Sequence, residues 1–139
     1  MAQITINKLI TKLDLNDNIR KLGRLRRKQM AEHMSNAEVF VQCSTVENHS
    51  STMREAMNVG IPCIVSDVGS ASEYILHNET GYLFRCNESE VLAYYIIKLF
   101  SDNNLRLRLG KCGRDYIRKQ YNSRESKATI DIYTDILET

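Results

Sequence analysis

Residues 38–67, EVFVQCSTVENHSSTMREAMNVGIPCIVSD, decide the fold, because two short apolar runs bracket a helical stretch and two carboxylates at fixed spacing. Residues 39–41 have the β-branched and aromatic content of a buried parallel strand, and residues 61–65 repeat it after the break at Gly60 and Pro62. Between the runs, Ser50, Ser51 or Thr52 caps a helix that takes in Glu55, Ala56 and Met57, and Gly60 suits its stop. The unit reads as strand, helix, parallel strand. Glu47 falls in the loop leaving the first strand and Glu55 follows eight residues later, which directs both toward the carboxyl edge of the sheet. In an open α/β sheet ligands sit at that edge, and the N–H groups of the following helix attract an anion. A ligand bearing both phosphate and hydroxyl groups reconciles the acids with the anion site. The helix end takes the phosphate, and the carboxylates accept from sugar or ribose hydroxyls.

With Glu47 and Glu55 framing Asn48-His49-Ser50-Ser51-Thr52-Met53-Arg54, and with Ala56-Met57, Gly60, Pro62 and Ser66-Asp67-Val68-Gly69 after them, the run resembles the group 1 retaining glycosyltransferases of the GT-B fold. The likeness continues through Glu73, Thr80-Gly81 and the helical tail to Tyr121. It implies an α/β fold, a Rossmann-like parallel sheet flanked by helices, corresponding to most of the C-terminal domain of such an enzyme. Residues 1–139 would form that single partial domain, with a tail helix at about 123–137. The resemblance further implies that Glu55 accepts from the ribose hydroxyls and that Glu47, the catalytic residue, contacts the transferred sugar and stabilises charge. Ser50, Ser51 and Thr52 would offer backbone N–H groups to the sugar or diphosphate. The substrate would be a nucleotide-diphosphate sugar, the acceptor a glycan or lipid-linked molecule, and no metal or other cofactor is expected. The acceptor domain, the opening strand and the glycine-rich loop with its basic pair lie outside the resemblance. The chain by itself is therefore expected to be inactive, to need an N-terminal acceptor domain or partner chain, and to self-associate as a homodimer over its unpaired sheet edge. The alternative reading is a non-catalytic nucleotide-sugar-binding or interaction module acting with a separate partner chain.

At 139 residues, 42% hydrophobic and 26% charged, the chain suits one soluble domain with a core of its own. No apolar run approaches the roughly 20 residues of a membrane span, and the first residues lack the apolar stretch of a secretory signal. Cys43, Cys63, Cys86 and Cys112 are too far apart in sequence for a zinc motif. Cys43 and Cys63 are expected to be buried reduced thiols beside or within strands, in a cytoplasmic compartment. The net charge of +2 does not imply a nucleic-acid partner, yet Arg20, Lys21, Arg24, Arg26, Arg27 and Lys28 crowd six cations into nine positions. With no aromatic residue interleaved to stack on bases, this run reads first as a solvated face and second as a contact with an anionic membrane surface.

The remaining pattern predicts a helix from about Asn7, a turn at residues 16–18, a short strand at 19–22 ending at Gly23, and a helix over 29–36. Ser72 is expected to cap a short helix holding Glu73, and residues 82–84 to form an edge strand after the turn at 78–81. Helices should follow at 89–100, capped by Ser89, and at 104–121, slackened by Gly110 and Gly113. Where the family shows two glycines, this chain has Gly69-Ser70. His33, His49 and His77 have no partner at a spacing that names a catalytic triad, and His49 reads as a surface-loop residue.

Overall fold

Parallel pairing organises the chain. In the computed structural model, which describes residues 2–120, 131, 132, 134 and 135, β1 (Phe40–Gln42), β2 (Cys63–Ser66) and β3 (Tyr82–Phe84) lie side by side in that order. Phe40 stands opposite Cys63, and Ile64 opposite Tyr82. Every residue of β2 is buried, as expected for a strand covered on both faces. One face meets Met53, Ala56, Met57, Tyr74 and Ile117, and the other meets Leu99 and Leu109. These come from α3 (Ser51–Val59), α4 (Ala71–Tyr74), α5 (Ser89–Ser101) and α6 (Asn103–Gln120). Two further helices, α1 (Ala2–Lys12) and α2 (Arg27–Ser35), precede the sheet. The architecture is the α/β class expected from the sequence, with β3 at one edge and the outer side of β1 without a strand partner among the described residues.

The helix that matters most is delimited by its caps. Of the three candidate caps the fold uses Ser50, whose hydroxyl accepts from the Met53 N–H at 3.1 Å. At the other end Gly60 adopts φ 92°, a left-handed conformation that a β-carbon would strain, and its N–H reaches the Ala56 and Met57 carbonyls. Helix α3 then packs on α6 through glycine. A β-carbon at Gly110 would stand 2.0 Å from the Gly60 carbonyl oxygen, and one at Gly113 would stand 2.9 Å from that of Thr80. The α6 helix runs unbroken through both positions, so these glycines permit close approach and do not slacken the helix.

Other expectations are corrected. Residues 19–22 form no strand, because no neighbouring strand lies beside them among the described residues. The first helix begins at Ala2, ahead of Asn7. Ser70, not Ser72, holds the N-cap position of α4, and no side chain closes that cap. Ser89 is the first residue of α5, not its cap. The Asp102 carboxylate caps α6, accepting from the Leu105 N–H at 2.9 Å. Cys43 is exposed, because β1 stops at Gln42, whereas Cys63 is buried as expected. Most of the expected tail helix at 123–137 lies outside the described residues; residues 131, 132, 134 and 135 are helical, and Ile132 packs against the core.

Candidate functional site

Because the three strands run in parallel, Gln42, Ser66 and Phe84 end at one edge, and the loops that leave them meet there. Residues 43–50 climb from β1 to the start of α3, and two anchors fix their path. At the first, the Ser66 hydroxyl donates to the Ser44 carbonyl at 2.7 Å and the Cys86 thiol approaches the same oxygen at 3.3 Å. At the second, the Ser70 N–H donates to the Asn48 carbonyl at 3.3 Å, and the Ser70 hydroxyl donates to it as well. Gly69 makes the second anchor possible. Its φ is 57°, and a β-carbon there would overlap the Glu47 carbonyl oxygen at 1.6 Å. Gly69 thus has a task inside the fold, backing the peptide that follows Glu47.

The side chains continue this arrangement. Met53 donates its N–H to the Ser50 hydroxyl, Ser50 donates to the Gln42 side-chain carbonyl at 2.6 Å, and the Gln42 amide points its N–H at the Glu47 carboxylate, 3.5 Å away. The half-buried Glu47 is therefore oriented through Gln42 from the same cap that starts α3. Sequence reasoning assigned Gln42 no role. The available signal was a polar amide closing an otherwise apolar strand, eight residues before the capping serine.

Glu47 and Ser50 line a shallow hollow, open to solvent, together with Gln42, Asn48, Val68 and Ser70. The other predicted site residues stand outside that lining. Ser51 is exposed and Thr52 half-buried in the first turn of α3. Glu55, half-buried one turn further on, takes no hydrogen bond or ion pair among the described residues. The N–H groups of Met53 and Arg54 are taken by Ser50, and those of Ser51 and Thr52 lie in the first turn of a nine-residue helix, where no intrahelical carbonyl serves them. Chemically, the edge offers an oriented carboxylate, a second acid without partners among the described residues and a helix start suited to an anion.

The remaining candidates are placed elsewhere. His49 and Asp67 are exposed on the loops, and Glu73 is exposed on α4, its carbonyl accepting from the Tyr116 hydroxyl at 3.2 Å. His77 accepts the Leu83 N–H at 3.0 Å and lies edge-on to Tyr82 and Tyr95, a structural position near the start of β3. Among the described residues no three His, Cys, Asp or Glu side chains gather to hold a metal ion, and no helix is long and apolar enough to cross a membrane.

Comparison with known proteins identifies the family and the fold. A family model described as glycosyl transferases group 1 matches residues 3–116. The N-acetyl-alpha-D-glucosaminyl L-malate synthase of Bacillus anthracis is 30% identical over 134 residues, spanning 96% of this chain and 35% of that protein. The sucrose-phosphate synthase of Thermosynechococcus elongatus superposes with a TM-score of 0.81 at 27% identity, over 96% of this chain and 34% of the other. Anabaena HepE in complex with UDP-glucose superposes with a TM-score of 0.80 over 96% of this chain and 36% of its own; at 20% identity it speaks for the fold. The chain spans about a third of the length of the curated relative just named.

Proposed function

Because this chain belongs to the group 1 glycosyltransferases, we propose that it is the nucleotide-sugar-binding portion of a retaining enzyme that passes a sugar to a glycan or lipid-linked acceptor. The observation that carries the proposal is the Glu47 carboxylate, oriented by Gln42 over a hollow at the carboxyl edge beside the start of α3. The position of Glu47 at the rim of this hollow assigns the transferred sugar to its carboxylate, leaving the diphosphate to the N–H groups of Ser51 and Thr52 and the ribose to Glu55. In the transfer, the bond from the glycosidic carbon to the diphosphate oxygen breaks and a bond to the acceptor oxygen forms. The acceptor proton passes to the departing phosphate. Glu47 stabilises the positive charge that develops on the sugar and holds its hydroxyls. In the structure of a HepE–UDP-glucose complex the same fold accompanies a uridine nucleotide, so uridine diphosphate is the first ligand to try.

The test is calorimetric titration of a nucleoside diphosphate panel and the matching nucleotide sugars into the parent, Glu55→Gln, Glu47→Gln and Glu73→Gln. Losing charge-assisted hydrogen bonds to ribose should weaken binding by about 1.5–3 kcal/mol in Glu55→Gln, roughly 10- to 150-fold. Glu47→Gln should be nearly silent with the bare diphosphate and harmful once the sugar is attached. Glu73→Gln should match the parent. Parent-like binding by Glu55→Gln would refute the assignment of the ribose site. Binding of the sugar nucleotide without transfer, by whole protein supplied with acceptors, would favour the alternative, a non-catalytic module that presents the donor to a partner chain.

A further inference from the structure

Two of the four cysteines are exposed, and they lie at the same edge of the sheet. Cys43 follows the last residue of β1 and Cys86 lies two residues beyond β3, and both are exposed at the edge where the parallel strands end. The Cys86 thiol approaches the carbonyl oxygen of Ser44, the residue next to Cys43, at 3.3 Å. Ser66, ending the strand between them, donates to the same oxygen at 2.7 Å. Partial burial and then the nearby Cys86 sulfur push the Cys43 thiol above its ordinary value, as expected of two sulfurs that sense each other's charge. The other two cysteines are different in kind. Cys63 is buried and points at the Ile61 carbonyl, and Cys112 is half-buried on α6.

We propose that Cys43 and Cys86 form a dithiol modification site, which a small disulfide oxidant such as glutathione disulfide converts to a Cys43–Cys86 bond. One protein thiolate attacks a sulfur of the oxidant and displaces a glutathione thiolate. The second protein thiolate then displaces the remaining glutathione from the mixed disulfide. The two protein thiols give up two electrons and two protons, and the cleaved oxidant takes them up as two thiols. Strands β1 and β3 are two strand spacings apart, about 9.6 Å, while a disulfide needs Cα atoms within about 7 Å, so the residues beyond the strand ends must draw together. A bond made against that displacement is of the easily reduced kind. It would tie the first residues of the Glu47 loop to the end of β3, across the strand that already holds Ser44.

The experiment incubates the folded chain with glutathione disulfide, blocks remaining thiols by alkylation after denaturation, and maps the cysteines by mass spectrometry. The expected result is a species lighter by two hydrogens, with Cys43 and Cys86 in one cross-linked peptide and Cys63 and Cys112 alkylated. Cys43→Ser and Cys86→Ser should each stop at an adduct carrying one glutathionyl group, with the intramolecular cross-link reduced by about tenfold or more. Mixed adducts alone in the parent, a cross-link to Cys63 or Cys112, or no reaction would each overturn the proposal. None of these readouts depends on nucleotide binding, so the outcome is independent of the proposed donor site.

Discussion

The contact between α3 and α6 and the segment from α1 through the basic run answer opposite demands. At the first, backbone meets backbone: Gly110 and Gly113 leave no room for a side chain, and Ala56, Met57 and Ile117 are fully buried around them. At the second, large apolar side chains stand in the open. Ile6, Leu9 and Leu13 are each more than half exposed, followed by exposed Ile19 and Leu22 and by six cations. Residues 1–28 carry eight Lys and Arg against two Asp, while residues 29–139 carry eleven against fifteen acids. The first region spends its sequence on internal fit. The second leaves apolar and cationic side chains exposed together.

The largest expected effect tests the first half of that contrast. In Gly110→Ala the new β-carbon would need the Gly60 backbone to retreat, and neither helix can move without opening the core on β2. The expected loss is about 3 kcal/mol or more in urea unfolding, against less than about 0.5 kcal/mol for Leu9→Ser in α1. Equal losses at the two sites would erase the distinction between the regions.

A pH dependence sharpens it further. Burial pushes the Cys63 thiol up from its ordinary value of 9.0, so the folded chain keeps that proton after the unfolded chain has lost it. Folding then binds a proton, and stability falls as pH rises above about 9, with a limiting slope near 1.4 kcal/mol per pH unit. Below that pH the contribution is fully present. Cys63→Ala should remove this part of the slope, whereas Cys86→Ala should leave it in place. A parent and a Cys63→Ala variant with the same slope between about pH 9 and 10.5 would contradict the assignment.

How much of this was legible in the sequence follows the same divide. The apolar runs around residues 39–41 and 61–65, the capping serine and Gly60 all act through neighbours close along the chain, and β1, α3 and β2 appear where those signals put them. Glycine in α6 was misread because its reason lies in Gly60 and Thr80, distant in sequence; propensity alone suggests a slack helix. Residues 19–22 were misread because a strand exists only beside another strand. Glu47 and Ser50 were legible as candidates from motif and spacing. Gln42, which joins them, carried only the faint signal of a polar amide closing an apolar strand, because its role depends on how the loop of residues 43–49 brings the helix cap back to the strand end.

The smallest expected effect tests the second half of the contrast. Cations clustered beside exposed aliphatic side chains match the chemistry of an anionic lipid surface, where each Lys or Arg near the surface adds about 1 kcal/mol. No aromatic side chain stands among Arg20, Lys21, Arg24, Arg26, Arg27 and Lys28 to stack on bases, which disfavours single-stranded nucleic acid. The chain should therefore sediment with vesicles containing phosphatidylglycerol and not with neutral phosphatidylcholine vesicles, and moderate salt should release it. Arg24→Ala should lower the vesicle partition coefficient about fivefold, the equivalent of one such cation. Arg108→Ala, an exposed cation on α6 outside this segment, should leave it unchanged. Binding that ignores lipid charge, or that falls equally in both variants, would mean the segment is only a solvated face. Tighter binding to RNA than to vesicles at the same salt would reassign the surface to nucleic acid, because phosphate density would then outweigh the apolar contribution of Leu9, Leu13 and Leu22.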